Sequence, residues 1–172
     1  VGGTGVRTIG NVLGRAAHLE GKGCTVLDMA GLAQKFGPVV SHVRIGRDPA
    51  AMSAISIATG STDLLLGCDI VVGAGKAAVM RLSPGRSKAV VNTHPSITGD
   101  FTRNPDQTFP AEDLRHIIEN AVGNDSASFI DSTRIATALL GDAIAANLFL
   151  LGVAYQKGQV PVSAAAIHRA RE

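Results

Sequence analysis

The residues whose types and spacing could do chemistry stand at the front of the chain, where Val1-Gly-Gly-Thr-Gly-Val6 runs straight into RTIGNVLGRAAHLE. Glycines at 2, 3 and 5 permit positive φ and leave backbone amides uncovered. Val6, Ile9, Val12, Leu13, Ala16 and Ala17 then repeat at helical spacing on one face. A glycine turn at the positive end of a helix can cradle an anion, as phosphate sites do. Gly3 and Gly5 keep the spacing of the dinucleotide fingerprint G-x-G-x-x-G, but Thr8 stands where its third glycine would be. Two readings follow. Either Gly2, Gly3, Thr4 and Gly5 meet an anionic ligand, or they form a tight turn that lets a helix pack closely on a sheet.

Other candidates stand further along. Asp28 lies about 20 residues after the turn, where a dinucleotide fold holds a ribose hydroxyl; its alternative role is to cap the following loop. Gln34 and Lys35 sit at the centre of MAGLAQKFGP, a loop at the carboxyl end of a predicted strand, where α/β folds place ligand contacts. Asn92-Thr93-His94-Pro95 ends another predicted strand on the same rim. His42, inside VVSHVRI, has no carboxylate nearby in sequence to orient it as a base.

The elements that must position these residues read as follows. CTVLDM is a short β-branched run consistent with a second parallel strand, and VVSHVRI is a strand with one wetter face. Residues 63–68 form a fully buried strand, Asp69 caps a helix over 70–82 interrupted at Gly73-Ala-Gly75, and KAVVNT is another buried strand. TGDFTRNPDQTFP is a long irregular loop of the kind that covers a site or meets a partner. A helix over 110–122 carries Glu112 and Asp113 near its positive end and Leu114, Ile117, Ile118, Ala121 and Val122 on one face. ASFID is the last strand. A helix, a break at Gly141 and a second helix follow, and Ser163 caps the terminal AAAIHRARE. Strands alternating with helices predict a three-layer α/β/α domain with a mostly parallel, Rossmann-like sheet. The strand that should precede the glycine turn is expected to be truncated.

Composition narrows the function. With 172 residues the chain is expected to form a single domain, and 45% hydrophobic residues against 3% aromatic ones mean a core of Ala, Val, Leu and Ile. A net charge of +2 without basic runs argues against nucleic acid. Residues 135–155 are apolar enough to raise the question of a membrane span, but Thr137, Gly141, Asp142 and Asn147 interrupt them, which favours a buried helical pair. The all-round apolar character of residues 143–155 predicts cover from a neighbouring copy as well as from the domain's own core, hence a homo-oligomer, most simply a dimer; the alternative is a central helix buried by the domain itself. Cys24 and Cys68 lie in apolar runs and belong to no C-x-x-C pair, as expected of reduced, buried thiols in a cytoplasmic protein.

The string GGTGV…TVLDM-x-GLAQK…VVSHVRI…DLLLGCD…VVNTH…TGDFTRNPD…TALLGDAIAANLFLLGVAYQKG closely resembles the gamma domain of 2-oxoacid:ferredoxin oxidoreductases. Within them it is most similar to the single-chain indolepyruvate ferredoxin oxidoreductases of bacteria. The resemblance covers nearly the whole chain, and GLAQK, SHVRI and TGDF are its most particular parts. It implies oxidative decarboxylation of a 2-oxoacid with coenzyme A to an acyl-CoA, with thiamine diphosphate, iron–sulfur clusters and ferredoxin serving the full enzyme. Those cofactors are expected in other domains of the same oxidoreductase. Gly99-Asp100-Phe101 and Gly141-Asp142-Ala143 both miss the third residue of a thiamine-diphosphate G-D-G, and no cluster ligands are present. Phe36 departs from the small residue usual in the family. The expected role is assembly and the coenzyme A side of the active site, with Gly2, Gly3, Thr4, Gly5, Asp28, Gln34 and Lys35 as cofactor contacts and no catalytic or metal residue. An autonomous nucleotide-binding module and a ligand-free dimerisation domain are the alternatives.

Overall fold

The computed structural model describes residues 2, 5–30, 38–52, 54–95, 109–123 and 125–171. Helix α1 (Val6–Leu19) follows the predicted stripe, burying Val6, Ile9, Val12, Ala16 and Ala17. It starts from Gly5, whose φ of 74° is left-handed, a conformation that costs an L-residue with a Cβ about 1–2 kcal/mol.

Strands β1 (Gly23–Ala30) and β2 (Val39–Gly46) form an antiparallel ribbon, Gly23 facing Gly46 and Ala30 facing Val39. This corrects the parallel reading of CTVLDM. A parallel neighbour needs a crossover of about a dozen residues or more, and the stretch between Ala30 and Val39 is shorter than that.

Strands β3 (Leu64–Gly67), β4 (Lys88–Asn92) and β5 (Ala127–Ile130) form a parallel sheet in that order. Alternation along the strands supplies both faces with apolar side chains. Leu65, Ala89 and Val91 pack against α2 (Ile70–Gly73), α3 (Lys76–Val79) and α4 (Ala111–Val122) through Ile70, Ala78, Ile118 and Val122. Val90, with Leu64 and Leu66, meets Leu150 and Ala154 of α6 (Ala146–Gln156) on the other face. The architecture is therefore α/β and Rossmann-like, a parallel sheet between helical layers. Helix α7 (Ala164–Ala170) closes over α1, Ala166, Ala170 and Val162 meeting Val12, Ala16 and Ala17.

Several boundaries follow the chain's punctuation. Asp69 accepts from Val71 N at 2.8 Å and Val72 N at 3.2 Å, capping α2. The helix expected over 70–82 is two single turns, because Gly75 is extended (ψ 149°) between them. Helix α5 (Ser132–Leu140) ends on Gly141 at φ 74°. Asp142 then caps a short 3-10 turn by accepting from Ile144 N. Ser163 Oγ accepts from Ala166 N at 3.2 Å, as its cap position predicts.

Three burial expectations need correction. In the strand expected to be fully buried over 63–68, Asp63 is exposed, and Leu64 and Leu66 are only half-buried because they border an open hollow. Ile117 is exposed, lying at the edge of the α4 stripe. Cys24 and Cys68 are free thiols but half-buried. No described helix is long and apolar enough to cross a membrane.

Candidate functional site

The carboxyl end of a parallel sheet is where such folds meet ligands, and the opening turn lies there. Gly2 exchanges hydrogen bonds with Val39 at the start of β2, its N–H donating to Val39 O (3.0 Å) and its O accepting from Val39 N (2.7 Å). A Cβ on Gly2 would stand 2.9 Å from Cβ of Cys68 and 3.4 Å from Asp69 N. The backbone thus squeezes between β2 and the end of β3, and only glycine fits. A Cβ on Gly5 would lie 2.7 Å from Nδ2 of Asn147 on α6. Packing and positive φ together account for Gly5. Gly3, Thr4, Gln34, Lys35 and Phe36 lie outside the described residues, as does most of the long loop at 98–110.

The first turn of α1 has no side-chain cap and no acidic residue. A helix leaves its first N–H groups without intrahelical partners, and its dipole makes that end positive. An anion therefore suits the position. Arg7, in the same turn, is exposed and holds Nε 3.8 Å from Oδ2 of Asp28. Ser41, directly across the ribbon from Asp28, donates its Oγ to Oδ1 at 2.6 Å. Among the described residues these are the partners of Asp28, and they bring it next to the turn.

Sequence reasoning missed two glycines. A Cβ on Gly10 would meet Ser41 Oγ at 2.9 Å and Val26 Cγ1 at 3.2 Å; one on Gly14 would meet Val26 Cγ2 at 3.2 Å. Close seating of helix on strand, the task of the third glycine in a dinucleotide fingerprint, falls to Gly10, two places past Thr8. The available signal was a pair of glycines four apart inside a strong amphipathic helix. Each costs about 1 kcal/mol against alanine and so implies a packing reason.

The second rim stretch is structural. Asn92 is buried and makes four hydrogen bonds. Its Nδ2 donates to Cys68 O (3.3 Å) and Thr133 Oγ1 (2.9 Å), and its Oδ1 accepts from His94 N (3.2 Å) and Ser132 N (3.1 Å). The side chain ties the ends of β3 and β4 to the start of α5. His94 Nδ1 is 3.3 Å from Oδ1 of Asp131, which also caps α5 by accepting from Arg134 N.

His42 is buried at 2% exposure. Its Nδ1 accepts from Ile57 N at 3.2 Å, and Nε2 has no partner among the described residues. Burial first, then the nearby Arg81 charge, hold its pKa below the usual histidine value. Burial likewise pushes the Cys68 thiol up. Among the described residues no carboxylate orients the His42 ring.

Among the described residues no group of three His, Cys, Asp or Glu could hold a metal ion. An iron–sulfur cluster takes four thiolates, whereas Cys24 lies on the ribbon and Cys68 just past β3. These residues do not fit a cluster. What the rim offers is a positive helix end beside an ion pair, suited to holding an anionic group.

The family model for pyruvate ferredoxin/flavodoxin oxidoreductase matches residues 1–171, and the chain belongs to that family of 2-oxoacid oxidoreductases. Among similar proteins is the indolepyruvate oxidoreductase subunit IorB of Pyrococcus horikoshii, 27% identical over 95% of this chain and 77% of its own length. The subunit of the same name from Thermococcus kodakarensis is 26% identical, with the same two coverages. The pyruvate oxidoreductase subunit PORC of Thermotoga maritima superposes with a TM-score of 0.61 over 98% of this chain and 78% of its own. At 21% identity that likeness establishes the fold.

Proposed function

We propose that all 172 residues form one gamma-type domain of an indolepyruvate:ferredoxin oxidoreductase, contributing assembly surface and the coenzyme A side of the active site. The observation that carries this reading is the 27% identity to IorB across 95% of the chain. Gly2, Gly3, Thr4 and Gly5 are the proposed contacts for the phosphates of coenzyme A, Gly2 by letting the backbone come close, since its own N–H is held by Val39 O, and the unpaired amides of the first turn of α1 add to them. Asp28, Gln34 and Lys35 complete the proposed contact set. Thiamine diphosphate, the iron–sulfur clusters and the ferredoxin contact belong to other parts of the enzyme.

This division of labour leaves the present chain with binding and positioning. It holds the anionic end of coenzyme A while decarboxylation and electron transfer proceed on groups held elsewhere. A thermal-shift panel of coenzyme A, NAD, ATP and thiamine diphosphate tests it. Coenzyme A at 100 times its dissociation constant should stabilise by about 2.7 kcal/mol, and thiamine diphosphate should do nothing. A shift with NAD alone would favour an autonomous dinucleotide module.

One observation favours a second reading, a turn without a ligand. The Gly5 contact with Asn147 and the Gly2 contact with Cys68 explain both glycines by packing alone. No shift with any compound in the panel would support that reading.

A further inference from the structure

The rim at the carboxyl ends of β4 and β5 carries a pair of titratable side chains outside the anion site. His94 follows β4, Asp131 follows β5 as the N-cap of α5, and His94 Nδ1 stands 3.3 Å from Asp131 Oδ1. The carboxylate is itself held. Its Oδ1 accepts from Arg134 N at 2.9 Å, and its Oδ2 lies 3.8 Å from Arg134 Nε. The histidine is held twice, at the ring by Asp131 and at the backbone by Asn92 Oδ1, which accepts from His94 N at 3.2 Å.

These constraints select a tautomer. A carboxylate facing Nδ1 keeps the ring proton on that nitrogen and leaves Nε2 as an acceptor, the arrangement in which an oriented imidazole takes a proton from a nucleophile. The His94 side chain is 47% exposed and that of Asp131 28%, so the base is open to a substrate while its orienting group is the more covered. His116 also faces a carboxylate, with Nδ1 3.2 Å from Glu119 Oε2, but those two lie one turn apart on the exposed side of α4. Such a pair is ordinary helix surface. His94 and Asp131 come from separate strand ends and meet because β4 and β5 are neighbours.

One side chain joins the pair to the opening turn. Gly2 abuts Cys68, Cys68 O accepts from Asn92 Nδ2 at 3.3 Å, and Asn92 Oδ1 accepts from His94 N. A ligand with its anionic end at the start of α1 therefore has this imidazole on the same rim, where α/β folds meet ligands. Coenzyme A needs such a group. The thiolate is the nucleophile, and an unperturbed cysteine thiol has a pKa of about 8.5, so an unassisted thiol is almost wholly protonated at neutral pH. When a 2-oxoacid and coenzyme A become acyl-CoA and carbon dioxide, two electrons leave to ferredoxin and the thiol proton is left over.

We propose that His94, oriented by Asp131, is the base that takes this proton. The S–H bond breaks, an N–H bond forms at Nε2, and the thiolate supplies the electron pair for the S–C bond of acyl-CoA. The imidazolium, paired with Asp131, then returns the proton to solvent. The proposal rests on the reading of this chain as the coenzyme A side of the active site and adds one proton transfer to its binding role.

The test is kcat/KM for coenzyme A in the assembled enzyme, followed from neutral pH to above the thiol pKa of about 8.5. His94→Gln should lower it at neutral pH by at least about tenfold, since a positioned general base contributes about 10²–10⁴. The variant's constant should then climb about tenfold per pH unit as the thiol ionises by itself. Added imidazole should restore part of the rate to His94→Ala. Asp131→Asn, which keeps an accepting oxygen for Arg134 N, should show the same pH signature. Among the described residues the charged groups at the ring are Asp131 and, through it, Arg134. The constant for the oxoacid should stay unchanged in every variant. An unaltered coenzyme A constant in assembled His94→Gln overturns this proposal alone, and a wild type that does not bind coenzyme A overturns the underlying reading with it. A loss equal at every pH and without rescue by imidazole makes the pair a structural clip and also overturns it. Should the variants not assemble, NMR of the wild-type chain decides: coenzyme A should shift the His94 ring resonances, and desulfo-coenzyme A should bind and leave them in place. Equal shifts with both overturn the proposal.

Discussion

In the parallel sheet Ala89, Val90 and Val91 have no exposed surface, and the buried Asn92 side chain locks three chain segments at the carboxyl end of the strands. In the ribbon most β2 side chains are only half-buried, and α1 is seated on it through the bare backbones of Gly10 and Gly14. One half is held by a saturated core and a polar clip, the other by closeness that only missing side chains permit. The two respond to substitution in opposite ways: the first fails when something is removed, the second when something is added.

The largest expected effect is therefore Asn92→Leu. It leaves the N–H groups of His94 and Ser132 without their acceptor, and each buried unsatisfied group costs about 1–3 kcal/mol. Urea unfolding should show a loss of about 3 kcal/mol or more; a loss below about 1 kcal/mol would mean that the clip is not what secures this half. Gly10→Ala comes next. The added methyl meets Ser41 and Val26, and overpacking costs about 1–3 kcal/mol, partly offset by a helix-propensity gain of about 1 kcal/mol. A net loss of up to about 2 kcal/mol is expected. Gly14→Ala, with its nearest contact at 3.2 Å, should cost less than Gly10→Ala. Reversal of that order in thermal melts would contradict the proposed seating of α1.

Acid should loosen the α1–α7 side specifically. Glu20 accepts from Lys22 Nζ at 2.7 Å and from Ser163 N at 2.8 Å, and these bonds bring its pKa from 4.5 to about 2. The unfolded chain then takes up the proton first. The stabilisation is complete above pH 4.5 and is lost as pH falls toward 2. Glu20→Gln should flatten that part of the stability–pH profile, and an unchanged slope would remove the assignment.

The smallest effect concerns the surface. Leu139, Leu140 and Ile144 are exposed at 70%, 66% and 84% around the α5–α6 junction. In the homo-oligomer reading a second copy covers them. Ile144→Asp should shift the protein toward monomer in light scattering without lowering its melting temperature, and a wild type that is monomeric at high micromolar concentration would sink the idea.

The strength of local signals explains what was legible. The α1 stripe, the Asp69 and Ser163 caps, the Gly141 break and the buried run at β4 each rest on neighbours in sequence. The direction of β1 does not, because an apolar strand reads alike whether its partner runs parallel or antiparallel. The split of the 70–82 helix depended on how Gly75 would behave between two short apolar turns. At the candidate site, spacing singled out the turn and Asp28, and the structure brings Asp28 beside α1 through Arg7. Gly10 escaped because its function lies in what it lets approach, which shows only once Ser41 and Val26 are in position.

The central claim, that the opening turn serves coenzyme A, is tested most directly by the Michaelis constant for coenzyme A in the assembled enzyme carrying Gly5→Ala, with folding checked by circular dichroism. A methyl at this turn should displace one or two charge-assisted hydrogen bonds of about 1.5–3 kcal/mol each. The account predicts a rise of about tenfold or more with the constant for the oxoacid unchanged. An unaltered constant for coenzyme A in the folded variant would contradict it and leave the turn a packing device.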